Sequence, residues 1–187
     1  MAKGLKLMFK AIILMSVELV SMQQKHQAAL IDLHKAASAI PNGTLREPEE
    51  VDGAYVNDFI SKVNTDGLGF VALKEETLVG SIYAYRLPLK ALTHVYTFLN
   101  IVVHPDHQSK GIGTLLFSEF LKTIEEQHRD IYRVELFTRS ENKANVAFYQ
   151  KMGFQIEGPL QDKLYIEPTK FQTPIHMAWF NKNYFRD

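Results

Sequence analysis

The sequence predicts a mixed α/β fold in one domain. A chain of 187 residues, of which 46% are apolar and 22% charged, suits one globular domain with a sizeable core. Along the chain, the hydrophobic period indicates strand, helix, helix, hairpin, strand, helix, strand, helix and further strands. Residues 95–138 read as a strand-helix-strand crossover, which joins parallel strands, whereas a hairpin is antiparallel. The expected fold class is therefore α/β with antiparallel additions, or α+β.

Charge and cysteine content narrow the range of functions. Lysine plus arginine equals aspartate plus glutamate at 21 each, so the chain has no overall charge signature for nucleic acid or for an anionic membrane. The sequence contains no cysteine, which excludes disulfides, zinc-thiolate sites and a cysteine nucleophile. These features fit a cytoplasmic protein without nucleic-acid or membrane partners, and they leave a homodimer open.

Residues 1–14 read as an extension ahead of a single domain at residues 15–187. An apolar run within the extension follows two lysines, as in a signal peptide, but Lys10 interrupts the run, which is also too short to span a bilayer. Met8 and Met15 would each serve as an internal start. The extension is therefore either dispensable or an additional strand.

The first elements of the domain are expected to be a strand and two helices. Val17–Val20 alternates weakly, as a strand would, and a helix follows from about Gln23. Pro48, followed by two acidic residues, favours the start of a second helix. The apolar positions of that helix recur every four residues, at Val51, Tyr55, Phe59 and Val63.

A hairpin and the crossover unit come next. Apolar runs at Phe70–Lys74 and Leu78–Leu87 indicate the hairpin, and Gly80 indicates a bulge or a close backbone approach. The later elements are expected as strands at Val95–Val103, Ile131–Thr138, Phe154–Gly158 and Pro174–Phe180 and as helices at Ile112–Gln127 and Lys143–Met152. Leu164–Ile166 reads as a short strand or as part of a loop.

The turn between the strand ending at Val103 and the helix starting at Ile112 has the properties of an anion site. The NH groups of a first helical turn lack partners within the helix, and the helix dipole adds partial positive charge there. Gly111 and Gly113 keep side chains out of that space, so that a phosphate would reach the backbone. The spelling Q-x-x-G-x-G from Gln108 excludes a P-loop and lacks the third glycine of a dinucleotide fingerprint. By itself, this spelling fits a simple structural turn equally well.

Two patterns in register carry a resemblance to a known family. Q-x-x-G-x-G preceded by Val103-His104-Pro105 resembles the acyl-CoA pyrophosphate loop of the GNAT N-acetyltransferases. One helix and one strand downstream, the stretch from Asn142 through Tyr149 is similar to the family signature N-x-x-[AS]-x-x-[FL]-Y-x-x-x-G-F. Asn145 departs from it, because the family usually has Ala or Ser there. The chain is identified as a member of this family over about residues 17–180.

The resemblance implies a GNAT fold, in which a mixed central sheet of about six to seven strands is flanked by about four helices. It also implies direct transfer of an acetyl group from acetyl-CoA, the cosubstrate, to a primary amine of a small molecule or peptide in a ternary complex, without a metal. The residues carried over as cofactor contacts are Ile101, Val102, Val103, Gln108, Ser109, Lys110, Gly111, Ile112, Gly113, Thr114, Asn142, Asn145 and Phe148. Among them, Asn142 would also cap its helix, Lys110 would face a phosphate or solvent, and Asn145 would face the pantetheine arm or solvent.

Tyr149 is the expected catalytic acid, because a phenol with a pKa of about 10 returns a proton to a departing thiolate. The general base is less determined. Some family members carry a glutamate five positions before the signature asparagine, and Phe137 occupies that place here. Glu135, two residues earlier on the same strand face, is the nearest substitute. Other candidates on the preceding strand are His94, Tyr96 and Asn100.

Two other functions stay open. The stretch Asn100–Gly113 is similar to ribosomal-protein acetyltransferases, which favours a protein N-terminal or lysine acetyltransferase. The missing glutamate at Phe137 is compatible instead with a catalytically weak, acyl-CoA-binding regulatory module.

Overall fold

A computed structural model describes residues 16–41 and 43–185 of the protein. The predicted extension at residues 1–14 lies outside the described residues. The helices of the described chain are α1 Gln27–Ser38, α2 Gly53–Asp66, α3 Ile112–Gln127 and α4 Lys143–Lys151. The strands are β1 Val17–Ser21, β2 Gly67–Lys74, β3 Thr77–Tyr85, β4 Val95–Val103, β5 Arg133–Thr138, β6 Gln155–Pro159, β7 Leu164–Glu167, β8 Lys170–Gln172 and β9 Ile175–Phe180.

Most of these strands belong to one mixed sheet. Over the described residues the strand order is β1-β2-β3-β4-β5-β9-β6, and β7 pairs with β8 separately. β4 and β5 are parallel, whereas β1 with β2, β2 with β3, β5 with β9 and β6 with β9 are antiparallel. The seven-stranded mixed sheet and the four helices described above confirm the predicted fold class.

The described chain forms two compact units. The first contains residues 16–41, 43–85 and 100–121, and the second contains residues 86–99 and 122–185. Strand β4 and helix α3 each begin in one unit and end in the other. That residues 15–187 act as a single domain stays a prediction.

The core of the first unit lies under α1, α2 and the hairpin β2–β3. Its fully buried side chains include Leu30, Leu33, Val56, Phe59, Ile60 and Val71. Burying an aliphatic or aromatic side chain of this size contributes about 1.5–3 kcal/mol. The apolar faces that the sequence predicts for α1 and α2 are therefore the surfaces that hold this unit together.

Helix α2 begins later than the sequence predicts. Pro48 starts a single 3-10 turn, and Val51 then has extended backbone, with φ −97° and ψ 94°. Asp52 is the true N-cap, because its Oδ1 accepts a hydrogen bond from the N–H of Tyr55 at 2.7 Å. The start at Pro48 is therefore wrong, since the cap that satisfies a first-turn N–H lies four residues later.

Gly80 shows both features that the sequence predicts for it. A Cβ added at this position would lie 3.0 Å from Leu116 Cδ1 and 3.2 Å from the carbonyl oxygen of Val102. The register of β2 against β3 also shifts between Ala72 and Leu73, beside the Gly80 pair. The glycine therefore lies at a bulge and at a close approach.

The second unit is built on β5. The beginning of β4 pairs with it in parallel, Val95 with Arg133 and Tyr96 with Val134, as the crossover predicts. Strand β9 pairs with β5, and β6 pairs with β9, both in antiparallel register. Of the two alternatives for Leu164–Ile166 the strand is correct, and its partner β8 is an element that the sequence did not indicate.

Among the residues that the structure describes, no helix has the length and apolar character needed to cross a membrane.

Candidate active site

The turn after β4 connects directly to α3. His104 N–H donates to Val79 O at 2.9 Å, and His104 Nδ1 accepts from the N–H of Asp106 at 3.3 Å. A short 3-10 turn at Pro105–His107 follows. Gln108 Nε2 donates back to Val103 O at 3.2 Å. These hydrogen bonds fix where the chain leaves β4 and where it enters α3.

The backbone of the turn alternates in the sign of φ. Ser109 has φ 60° and Gly111 has φ 94°, with Lys110 between them on the negative side. Such alternation directs successive N–H groups toward one side and forms an anion-binding concavity. Gly111 is required there by its own conformation, because a side chain at this φ would be strained.

The first turn of α3 leaves its leading N–H groups without partners in the helix. The N–H of Leu115 is the first intrahelical donor, and it reaches Gly111 O at 3.0 Å. The N–H groups of Ile112, Gly113 and Thr114 therefore precede the helical hydrogen bonds. Together with the helix dipole they favour a bound anion.

Gly113 has a different explanation from Gly111. It does not have a positive φ, and a Cβ added to it would meet Val103 Cγ2 at 3.8 Å and Ile101 Cδ1 at 3.9 Å, which are ordinary contacts. Neither the backbone conformation nor the neighbouring side chains thus require glycine. The contact of Gly113 with a pyrophosphate stays a prediction.

Lys110 takes part in the internal structure of the turn. Its Nζ donates to the main-chain oxygen of Asp106 at 2.5 Å. A phosphate contact by this lysine would require the side chain to leave that oxygen. Contact of Lys110 with a phosphate stays a prediction.

The end of β4 carries the three residues expected along pantetheine. Val102 is buried in the core of the first unit, whereas Ile101 and Val103 are half-buried. Before them in the strand, Asn100 Oδ1 is buried and has no hydrogen-bond partner in the part of the chain that the structure describes. Such an orphan acceptor costs about 1–3 kcal/mol, so it is suited to a donor supplied by water or a ligand.

Helix α4 in the second unit starts at the second motif. Asn142 is its N-cap, and Oδ1 accepts from the N–H of Asn145 at 3.1 Å, which confirms the predicted capping role. The side chain of Asn145 is exposed and that of Phe148 is half-buried. The cofactor contacts expected of these three residues stay predictions.

Tyr149 lies within an aromatic group in the second unit. Its ring centroid is 5.6 Å from that of Phe148 and 6.1 Å from that of Phe154. Burial raises the pKa of Tyr149 to about 12. The phenol therefore stays protonated at neutral pH, which a proton donor requires.

Glu135 projects from β5 into a set of polar side chains. Thr97 Oγ1 donates to its Oε1 at 2.9 Å, and Arg133 Nε lies 2.9 Å from its Oε2. Arg133 also holds both oxygens of Glu157, and His176 lies beside both carboxylates. Sequence reasoning missed Thr97, Arg133, Glu157 and His176. Their only signal in sequence is the alternation of Arg133 with Glu135, because the partners come from other strands.

Two alternative base candidates, His94 just before β4 and Tyr96 on it, have other surroundings in the second unit. Tyr96 is buried, and its hydroxyl lies 3.1 Å from His128 Nδ1. His94 lines a cavity of about 520 Å³ together with Arg86 and Asp130. Neither environment includes Glu135. Over residues 16–41 and 43–185, no three His, Asp or Glu side chains are grouped as metal ligands.

Comparisons with known proteins agree with the two motifs. Residues 30–154 match the Acetyltransferase (GNAT) family. The chain is 26% identical over 104 residues to spermidine N(1)-acetyltransferase of Escherichia coli K12, which is 53% of each chain. It is 33% identical over 97 residues to the [ribosomal protein bS18]-alanine N-acetyltransferase of Salmonella typhimurium LT2, which is 50% of this chain and 64% of that one. The chain therefore spans about half to two thirds of the length of these relatives.

A solved structure shows the same fold. It is a Salmonella typhimurium protein determined with its cofactor acetyl-CoA, and it matches with a TM-score of 0.76 at 14% identity over 91% of this chain and 97% of that chain. At this identity the similarity concerns the fold. Because the family match extends over more than half of the sequence, the chain belongs to the acetyltransferase (GNAT) family.

Proposed function

We propose that the protein is an N-acetyltransferase that transfers the acetyl group of acetyl-CoA directly to a primary amine of a small molecule or peptide. The observation that carries the proposal is the turn Gln108–Gly113, where alternating φ and the leading helical N–H groups form an anion cradle, and where neither φ nor the neighbouring side chains require the glycine at Gly113. Family membership identifies the anion that suits it as the pyrophosphate of acetyl-CoA.

Bound acetyl-CoA supplies a thioester carbonyl for attack and a thiolate as the leaving group. Transfer forms a C–N bond, breaks the C–S bond and moves one proton from nitrogen to sulfur. An amine that arrives as ammonium must lose one further proton before it attacks. The protein therefore needs an acid for the thiolate and a base for the amine.

Tyr149 is proposed as the acid. A pKa raised to about 12 by burial keeps its proton available at neutral pH. A thiolate has a conjugate-acid pKa of about 8.5, so donation from such a phenol to a free thiolate is uphill and requires transfer concerted with C–S cleavage. The proposed role of Tyr149 is thus donation as the leaving group departs.

Glu135 is proposed as the base. Its carboxylate is half-buried and is held in place by Thr97 and Arg133. A carboxylate held in place by such contacts is suited to take the proton of an acceptor amine. In the first unit, the buried Oδ1 of Asn100 would separately bind an N–H or a water.

The acceptor is proposed to be one of two amine classes. The names of these two curated relatives refer to spermidine and to an alanine of a ribosomal protein. The second of these names supports a peptide amine as the second candidate function beside a small-molecule amine.

The test is release of free CoA by the purified protein. Acetyl-CoA would be incubated with spermidine, free amino acids, a peptide with an N-terminal alanine and a peptide with an internal lysine, and the thiol would be measured with mass detection of the product. Release above the rate without amine is expected for one class. Acetyl-CoA binding without thiol release from any acceptor would instead favour the regulatory module.

A further inference from the structure

Two carboxylates, one guanidinium and one imidazole of the second unit form a closed ring. They are Arg133 and Glu135 on β5, Glu157 on β6 and His176 on β9. Arg133 Nε lies 2.9 Å from Glu135 Oε2, and its Nη1 and Nη2 lie 2.6 and 2.5 Å from the two oxygens of Glu157. His176 closes the ring, with Nδ1 2.9 Å from Glu157 Oε2 and Nε2 3.7 Å from Glu135 Oε2.

Strand register creates this ring. His176 pairs with Phe137 across β5 and β9, so it is the diagonal neighbour of Glu135 on the same face. On β6 the register shifts between Ile156 and Gly158, which leaves Glu157 as the extra residue of a bulge opposite His176. Gly158, which pairs with His176, has no side chain, and the Glu157 carboxylate lies beside the imidazole instead. Bulges of this kind often aim a side chain next to an active site.

The ring gives the imidazole a carboxylate at each nitrogen. Neutral histidine has one N–H donor, and only the imidazolium form has two. A proton that reaches one nitrogen therefore has an acceptor at the other.

The direction of proton movement follows from exposure. The Glu157 side chain is 33% exposed and that of Glu135 24%, so Glu157 is the side of the ring nearer to water. The charged groups that surround the imidazole are Arg133 and Glu135 from β5 and Glu157 from β6. Lys163 is the next charged residue, and its Nζ lies 5.0 Å from the aromatic ring centroid of Phe137, the residue that pairs with His176.

We infer that His176 acts as the proton relay of Glu135, receiving at Nε2 the proton that Glu135 takes from the acceptor amine and releasing one from Nδ1 along Glu157 to water. This inference rests on the proposed function, with Glu135 as the base. In each cycle an O–H bond of Glu135 breaks as an N–H bond forms at Nε2, and the N–H bond at Nδ1 breaks as water gains the proton. This leaves the imidazole protonated at Nε2, so proton exchange with water must restore the Nδ1–H tautomer before the next cycle. The 3.7 Å separation exceeds a hydrogen bond, so the first transfer uses a carboxylate rotation or one bridging water.

The relay is tested by removing the imidazole and supplying it again from solution. With the amine that gives the fastest CoA release by the wild type, His176→Ala is expected to lower kcat at least about tenfold and to leave the KM for acetyl-CoA unchanged. Imidazole added to the buffer is expected to restore turnover in this variant and to leave the wild type unaffected. A purely structural role would not produce such rescue.

Two glutamate variants provide a matched pair. Glu157→Gln removes the carboxylate that would accept the proton from His176 Nδ1 on its way to water. The variant is expected to lower kcat about threefold to tenfold, as a partial loss of general acid-base catalysis. Glu167→Gln removes the partner of Lys170, whose Nζ lies 3.3 Å from Glu167 Oε1 within the hairpin β7–β8, and is expected to leave kcat unchanged. Thermal unfolding and acetyl-CoA binding of each variant show whether it is folded.

The outcomes separate the relay from the proposed function. Unchanged kcat in His176→Ala, or a loss that imidazole does not restore, would overturn the relay while CoA release by the wild type upholds the enzyme. Absence of CoA release by the wild type with every amine would overturn the proposed function and the relay with it. If His176→Ala does not fold, His176→Gln and Glu157→Gln decide the matter, and wild-type kcat in both would contradict the relay.

Discussion

The two units present their polar groups in contrasting ways. In the first unit, the turn Gln108–Gly113 offers main-chain N–H groups, and its two glycines matter because they lack side chains. In the second unit, Arg133, Glu135 and Glu157 meet as side chains from strands distant in sequence. A backbone site is thus encoded by close neighbours in the chain, whereas a side-chain site depends on strand register.

Histidines show the same contrast. His34 in the first unit is 3% exposed among the rings of Tyr55, Phe59 and Tyr83, and its Nε2 lies 3.5 Å from Ser81 Oγ. His176 in the second unit is half-buried between two carboxylates. The first environment disfavours a proton on the ring, whereas the second offers acceptors for it.

The largest effect is expected from breaking the backbone site. Gly113→Glu places a carboxylate where the phosphate would lie, so acetyl-CoA affinity should fall at least about a thousandfold, or about 4 kcal/mol. Because an added Cβ there meets only ordinary contacts, thermal stability should stay close to that of the wild type. Isothermal titration calorimetry with acetyl-CoA measures the loss.

Two controls define this experiment. Ser118→Glu adds the same charge on an exposed position of α3 and should leave affinity unchanged. Gly113→Ala should retain or raise stability, as alanine does in helices, while weakening acetyl-CoA binding. Wild-type affinity in Gly113→Glu would refute the assignment of the turn.

The next largest effect is expected on the pH dependence of the free energy of unfolding, and it comes from the buried His34 rather than from His176. Burial, with a smaller contribution from the charge of Arg46, lowers the pKa of His34 to about 4. The unfolded chain binds a proton at its usual pKa of about 6.5, so stability is retained above that pH and is lost as the pH falls toward 4. The loss attributable to this residue approaches about 3 kcal/mol.

The variant His34→Gln isolates that contribution. Urea unfolding at pH 7 and pH 4.5 would be compared in the wild type and the variant, since other groups also titrate in this range. The decrease in the free energy of unfolding should be smaller in the variant by about 2 kcal/mol. An equal decrease in both proteins would show that His34 is not the group responsible.

The variant Tyr149→Phe tests whether turnover depends on one side chain of the second unit. Tyr149→Phe removes the proposed proton donor and should lower kcat about a hundredfold without changing acetyl-CoA affinity. Because burial raises the pKa of Tyr149 to about 12, the wild type should show no alkaline loss of kcat from this group below about pH 10. Tyr165→Phe, at an exposed tyrosine on β7, is the matched control. Equal kcat in Tyr149→Phe and the wild type would remove the acid role.

Much of the fold could be predicted from sequence because its elements have strong local signals. The apolar spacing of α3 predicts the observed bounds, Ile112–Gln127, and that of α4 predicts its end within one residue. The predicted helix start at Pro48 is wrong because a proline followed by acidic residues is compatible with both a 3-10 turn and an α-helix. The α-helix begins after Asp52 instead, because the Asp52 side chain accepts a hydrogen bond from the N–H of Tyr55. Strand β8 is too short for any period to show.

The candidate site likewise has a part that could be predicted from the sequence and a part that could not. The turn from Gln108 to Gly113 and the cap at Asn142 are contiguous motifs, so their positions follow from the sequence. The partners of Glu135 do not, because His176 and Glu157 come from β9 and from a bulge in β6. A shift of one residue in either strand would turn those side chains to the other face, and sequence spacing does not fix that register.

The smallest expected effect concerns Asn142, the residue whose side chain serves its own backbone. Asn142→Ala removes the cap on the N–H of Asn145 and should lower the free energy of unfolding by about 1 kcal/mol, measured by urea denaturation. Asn142→Asp retains an acceptor for that N–H, so it should retain stability, but it has no amide N–H₂ for a cofactor. Reduced acetyl-CoA affinity in both variants would show that the Asn142 side chain contacts the cofactor in addition to capping the helix. Wild-type affinity in both, with stability lost only in Asn142→Ala, would restrict Asn142 to capping, and cofactor binding by side chains of α4 would then depend on the other residues of the motif.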